Sequence, residues 1–261
     1  MIIATYGSAT KARRHGSAGS PQALALSLSK GVLVASWLIL VSAGCSRTEP
    51  TASLPPPSPP AQATAAPKVS APRIVILGDS LTAGLGLPSG AAYPALLQKR
   101  ADADGFHYEV VNAGVSGDTS AGGLSRLDWA LQGDVRVLVM ALGGNDALRG
   151  LPPAELQRNL AQMIERAQSR KISVVLAGME SPPNWGRDYN VSFHKVFTEL
   201  ADTYHVPLVP FLLQGVAGSE TLNQADGIHP TAEGARMVAE NVWSVLKPVL
   251  DGQRRNGQPG S

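Results

Sequence analysis

From Arg73 onward the chain alternates short apolar runs with longer stretches patterned as helices, and few folds accept that alternation. The apolar runs are Ile74–Leu77, Tyr108–Val111, Val135–Leu142, Ile172–Leu176 and Val206–Val209. Runs of this length without a regular polar face read as strands buried on both sides. Between them lie the helical stretches Tyr93–Ala103, Ala121–Leu131, Pro153–Ser169 and Val191–Tyr204, and a last one follows at Thr231–Lys247. Strands separated by helices need crossover connections, which make a parallel sheet with helices on both faces. The expectation is one three-layer α/β domain over residues 73–250, with a disordered tail at 251–261.

The residues before this domain read differently. Early Lys11, Arg13 and Arg14 precede Lys30 and the apolar run Gly31–Val41, which ends in small residues. A span of about 20 apolar residues is needed to cross a bilayer, so this run suits a signal peptide over residues 1–45 better than a permanent anchor. The long stretch ahead of the apolar run fits translation starting later than Met1. Ser42-Ala43-Gly44-Cys45 resembles a lipoprotein cleavage box in which Cys45 is lipidated, although Ser42 stands where that box usually has leucine. Val41-Ser42-Ala43 also satisfies an ordinary cleavage site; Cys45 as a buried or incidental thiol is the bland alternative, but its place directly after the apolar run, as the sole cysteine, favours lipidation. Residues 46–72 hold 8 prolines among 27 residues, with many Ala, Ser and Thr, a composition suited to an extended spacer. The expected location is the periplasm or cell envelope, with a possible membrane tether through Cys45.

Charge narrows the function classes. The chain carries a formal +2 overall, yet residues 73–250 hold 14 Lys/Arg against 18 Asp/Glu. The basic excess therefore sits outside the domain, and no nucleic-acid partner is expected. Aromatic residues at 5% are too few for a base-stacking platform. A single cysteine excludes an internal disulfide, and the five histidines lack zinc-ligand spacing. No metal is expected.

Four short motifs fall where strands should end, the side on which open parallel sheets bind ligands. The first is Gly78-Asp79-Ser80-Leu81, with a serine opening a helix; helix capping alone would also explain it. Gly84-Leu85-Gly86 nearby is not a dinucleotide fingerprint, because Ser89 replaces its third glycine. The second motif, Asn112 to Thr119, has Gly114 and Gly117, which let backbone N–H groups approach a ligand; a tight turn is the alternative. It nearly spells a hydrolase elbow around Ser116, but Asp118 stands where glycine is required. The third is Gly143-Gly144-Asn145-Asp146. Asn145 offers a neutral donor to an oxyanion, or simply holds its own turn. The fourth, Asp226-Gly227-Ile228-His229-Pro230, puts a carboxylate within reach of an imidazole. Pro230 biases His229 out of the helix that follows. Each motif is modest alone, and their order is far more specific.

That order of Ser, Gly, Asn and Asp-x-x-His blocks resembles the SGNH hydrolases, or GDSL-type esterases, across residues 73–250. Gly143–Gly150, Gly178–Gly186 and Pro207–Phe211 resemble its bacterial branch of acyl-CoA thioesterase I, arylesterase and lysophospholipase enzymes. The resemblance implies a flavodoxin-like sheet of strand order 2-1-3-4-5. It implies Ser80 as nucleophile, His229 as general base and Asp226 as its orienting carboxylate. The oxyanion donors would be the backbone N–H groups of Ser80 and Gly117 and the amide of Asn145. A mobile lid over residues 147–151 would bring Leu148 and Leu151 to the substrate, with Pro183 and Trp185 beside the same groove. No cofactor is implied, the substrate is a small acyl ester or thioester, and a monomer is expected. Two alternatives stay open, an O-acetylesterase acting on envelope polysaccharide and a catalytically silent binding module of the same fold.

Overall fold

The computed structural model describes residues 71–257. The signal peptide, Cys45 and all but the last two spacer residues lie outside the described residues. In chain order the elements are β1 (Arg73–Gly78), α1 (Ser80–Ala83), α2 (Tyr93–Ala103), β2 (Glu109–Gly114), α3 (Ser120–Ser125), α4 (Leu127–Ala130) and β3 (Val135–Ala141). There follow α5 (Gly144–Leu148), α6 (Pro153–Ser169), β4 (Ser173–Ala177), α7 (Arg187–Tyr204), β5 (Leu208–Val209) and α8 (Ala232–Arg255).

All five strands run parallel, in the order β2-β1-β3-β4-β5. The fold class and strand order expected from the sequence are therefore those observed. From β1 the chain crosses by α2 to β2 on one edge, whereas β3, α6, β4, α7 and β5 progress toward the other. Right-handed crossovers in opposite directions put α2 on one face and α6 and α7 on the other. Accordingly α2 packs with α8, and α3, α6 and α7 pack in series. The central strands lie between these layers, with Ile74, Ile76, Leu77, Leu138 and Met140 wholly buried. The reversal of direction at β1 opens a crevice beyond the carboxyl ends of β1 and β3.

Local chemistry explains where elements begin and break. Helices α2 and α6 carry proline in their first turn, where the missing N–H costs nothing, and both match the expected limits. The stretch expected as one helix over Ala121–Leu131 is instead two, broken at Arg126. Arg126 turns inward, donating to Asp118 Oδ2 at 2.6 Å, Ala113 O at 2.8 Å and Gly78 O at 2.9 Å. It thereby fastens the ends of β1 and β2 to the loop between β2 and α3. Helix α7 starts at Arg187, one turn before the expected Val191, and β5 keeps only Leu208–Val209 of its expected four residues.

The expected end of the last helix at Lys247, and of the folded domain at Leu250, is corrected. Helix α8 passes through Pro248 and ends at Arg255, so residues 251–255 are helical. Leu250 is wholly buried, and Gln253 accepts from Tyr108 Oη at 2.7 Å and donates to Ser173 Oγ at 3.0 Å. Those contacts outweigh the one helical hydrogen bond a proline removes. Among the described residues, no helix is long and apolar enough to cross a membrane.

Candidate active site

Asp79 caps α1 through Oδ1, which accepts from Leu81 N at 3.0 Å. Capping was the plain explanation of this motif, and it holds for Asp79. It also fixes Ser80 as the first helical residue, at the carboxyl end of β1. There the Ser80 hydroxyl lies 2.9 Å from His229 Nε2, across 149 residues of sequence. His229 Nδ1 lies 2.7 Å from Asp226 Oδ2. Asp226 Oδ1 accepts the backbone N–H groups of Ile228 at 2.9 Å and His229 at 3.0 Å. The His229 N–H, then the His229 ring and then the Ile228 N–H hold the Asp226 carboxyl down at about 2. A carboxylate fixed on Nδ1 keeps the proton there and leaves Nε2 as the proton acceptor facing Ser80.

The loop bearing His229 is tied to the loop after α1 by Gln224. Its Nε2 donates to Leu85 O at 2.8 Å and Pro230 O at 3.0 Å, and its backbone N–H donates to His229 O at 2.7 Å. Sequence reasoning gave Gln224 no role, because nothing in its neighbours indicates that Leu85 lies across from it.

Gly117 and Asn145 come to the same place. Gly117 adopts a φ of 86°, which a side chain would resist, and its carbonyl accepts from Arg149 Nη2 at 2.8 Å. Asn145 Nδ2 donates to Asp118 O at 2.9 Å and more weakly to Asp79 Oδ2 at 3.3 Å. Its helix α5 is clamped by the next residue. Asp146 is buried and accepts from Ser120 N at 2.8 Å and Ser120 Oγ at 2.6 Å. Asn159 on α6 donates to the same Ser120 Oγ at 2.9 Å. Asp79 itself is 2% exposed, and burial pushes its carboxyl up to about 6.

These groups open onto a cleft of about 590 Å³. Its floor carries Ser80, Gly117, Asn145 and His229, and its walls are largely apolar, with Met179, Phe211, Leu213 and Ile228. Of the four residues expected to meet substrate, Leu148 and Pro183 line the cleft. Leu151 and Trp185 are not among its lining residues. Trp185 is turned onto Gly150, where an added methyl would meet its ring at 2.7 Å, and it packs beside Tyr189 at 6.0 Å between ring centres. The Tyr189 hydroxyl donates to Leu151 O at 2.9 Å, so both residues brace the outside of the α5–α6 connection. Among the described residues, no three His, Cys, Asp or Glu side chains gather as metal ligands would.

The profile of the GDSL-like lipase/acylhydrolase family matches residues 76–237, spanning all four motifs. The chain belongs to this family. Esterase TesA of Pseudomonas aeruginosa is 46% identical over 184 residues, covering 70% of this chain and 92% of that one. Thioesterase 1/protease 1/lysophospholipase L1 of Escherichia coli K12 is 37% identical over 183 residues, covering 70% and 86%. A crystal structure of TesA superposes with a TM-score of 0.65 over 67% of this chain and 98% of that one. As a GDSL-like acylhydrolase with these relatives, the chain is an ester hydrolase. Its cleft has the shape and apolar walls that an acyl group requires.

Proposed function

We propose that Ser80 is the nucleophile of an acyl-enzyme mechanism on carboxylic esters and thioesters, with His229 as general base and Asp226 as its orienting group. The observation that carries this reading is the unbroken relay from Asp226 Oδ2 to His229 Nδ1 at 2.7 Å and from His229 Nε2 to Ser80 Oγ at 2.9 Å. Ser80 Oγ bonds to the substrate carbonyl carbon while its proton passes to His229 Nε2. The tetrahedral adduct then breaks its bond to the leaving oxygen or sulfur, which takes that proton. Water repeats the sequence on the acyl-serine and releases the acid.

The developing oxyanion is received by the N–H groups of Ser80 and Gly117 and by Asn145. Asn145 reaches it by exchanging its long 3.3 Å bond to Asp79, the weaker of its two, for the substrate oxygen. The apolar walls accept the acyl chain, and aryl esters, acyl thioesters and lysophospholipids fall within the class that such a cleft admits. The relatives' printed activities, esterase, thioesterase and lysophospholipase, support that range. No step calls on a metal or cofactor. The leader-like apolar run and proline-rich spacer support a location in the periplasm or cell envelope, with Cys45 as the lipidated residue of a tethered form.

Ser80→Ala is expected to abolish nitrophenyl ester turnover and labelling by a fluorophosphonate probe while leaving the circular dichroism spectrum unchanged. A variant that keeps most of its activity would show the nucleophile to be another residue, with Ser116 on the cleft wall the next candidate.

A further inference from the structure

We propose that Glu180 selects substrates by charge, so that the enzyme prefers esters and thioesters with neutral or cationic leaving groups over polyanionic ones such as acyl-CoA. The inference rests on the ester-hydrolase reading of Ser80. Glu180 follows β4 and lines the same cleft as Ser80, Asn145 and His229. Its carboxylate is half-exposed at the cleft wall, with Oε1 2.7 Å from His194 Nδ1.

This carboxylate is held in place. Asn190 and His194 stand one turn apart on α7 and face the loop after β4 together. The Asn190 amide lies 2.9 Å from Ser181 Oγ, and with its nitrogen turned to the three surrounding oxygens it also donates to the carbonyls of Pro182 and Gly186 at 3.2 Å. With His194 on Glu180, the loop is pinned at both ends, and the charge stays at the cleft instead of swinging into solvent.

The surrounding charges do not cancel it. Among the described residues no lysine or arginine lines the cleft, and the ionisable lining residues are Asp79, Glu180 and His229. Asp226 sits directly behind His229, and Arg149 at the rim donates to Gly117 O at 2.8 Å. His194 lies against Glu180 from α7 and, among the described residues, is the one basic group in contact with it. A polyanion entering this cleft therefore meets carboxylates and none of the Arg or Lys side chains that pair strongly with phosphate. A quaternary ammonium or an uncharged alcohol or thiol meets no such opposition.

The test compares three substrates with one acyl chain at one fixed pH, using the full-length protein: octanoylthiocholine, p-nitrophenyl octanoate and octanoyl-CoA. At about 7 Å in water-like surroundings, each unit of charge changes kcat/KM by about threefold. Counting the ammonium charge and only the nearest phosphate charge of CoA, two units at about threefold each, Glu180→Gln should lower the ratio of thiocholine to CoA ester turnover by about tenfold, the cationic and anionic rates moving in opposite directions. In the native enzyme the same ratio should fall as salt is raised, because ions screen a half-exposed carboxylate, and the salt dependence should flatten in the variant. A ratio that stays within about twofold after Glu180→Gln, or a native ratio indifferent to salt, would overturn the proposal. The salt series needs no variant. If the native enzyme failed to cleave the uncharged nitrophenyl ester, the reading of Ser80 would fall first, and this one with it.

Discussion

Replacing Asp79 by asparagine should stabilise the fold at alkaline pH while slowing the enzyme. Asp79 is 2% exposed and has no cationic side chain bonded to it, only Leu81 N at 3.0 Å and Asn145 Nδ2 at 3.3 Å. Burial is the largest influence on it and raises its carboxyl from 3.8 to about 6. A rise of that size corresponds to about 3 kcal/mol. The folded chain holds this proton more tightly than the unfolded chain does. The destabilisation is therefore absent below about pH 4, grows between pH 4 and pH 6, and is constant above that range. Asparagine cannot ionise and keeps one oxygen for Leu81 N, but it loses the second acceptor facing Asn145, at about 1–2 kcal/mol. The net gain at pH 8 is about 1–2 kcal/mol, or about 2–8 °C in Tm for a domain of this size. Turnover should fall, because Asn145 loses one of the two acceptors that orient its amide. Thermal unfolding of both proteins, followed by circular dichroism from pH 4 to pH 8, measures the difference directly. A variant less stable than the native protein at pH 8, or a difference that does not change with pH, would refute the argument.

Two further outcomes are expected. Asn145→Ala should lower kcat by about 10²–10³ with a much smaller change in KM, since its amide acts on the oxyanion more than on the bound ester; stopped-time assays with a nitrophenyl ester measure both, and an unchanged kcat would remove Asn145 from the mechanism. Cys45→Ser should abolish incorporation of labelled palmitate and release the enzyme from the membrane fraction, and equal labelling of native and variant chains would rule out lipidation at Cys45.

Much of the fold was legible because buried parallel strands leave uniform apolar runs, as in Ile74–Leu77 and Val135–Leu142. Three of the four motifs were legible for a related reason, since glycines and polar residues cluster where β1, β2 and β3 meet the open end of the sheet, and the fourth stands just before α8. What escaped the sequence depends on long-range pairing. The break at Arg126 follows from three acceptors supplied by β1, β2 and the segment after β2, which no local pattern announces. Gln224 drew no reading from the sequence, yet it joins the two loops that bring serine and histidine together. The resemblance put Trp185 beside the groove, but no local pattern announces that its ring packs on Gly150. Glu180 and His194 lie 14 residues apart on a loop and a helix, and only the packing of α7 against β4 makes them neighbours.

The reach of α8 beyond its proline bears on how the protein should be handled. Gln253 belongs to the last turn of that helix and satisfies groups on three other segments, Tyr108, Arg136 and Ser173, at the end of the sheet away from Ser80. Trimming the gene at the apparent boundary after Leu250 would strip a polar keystone from beneath the strands and leave the tyrosine hydroxyl without its acceptor. An affinity tag therefore belongs beyond Gly257, where it would leave the last helical turn whole.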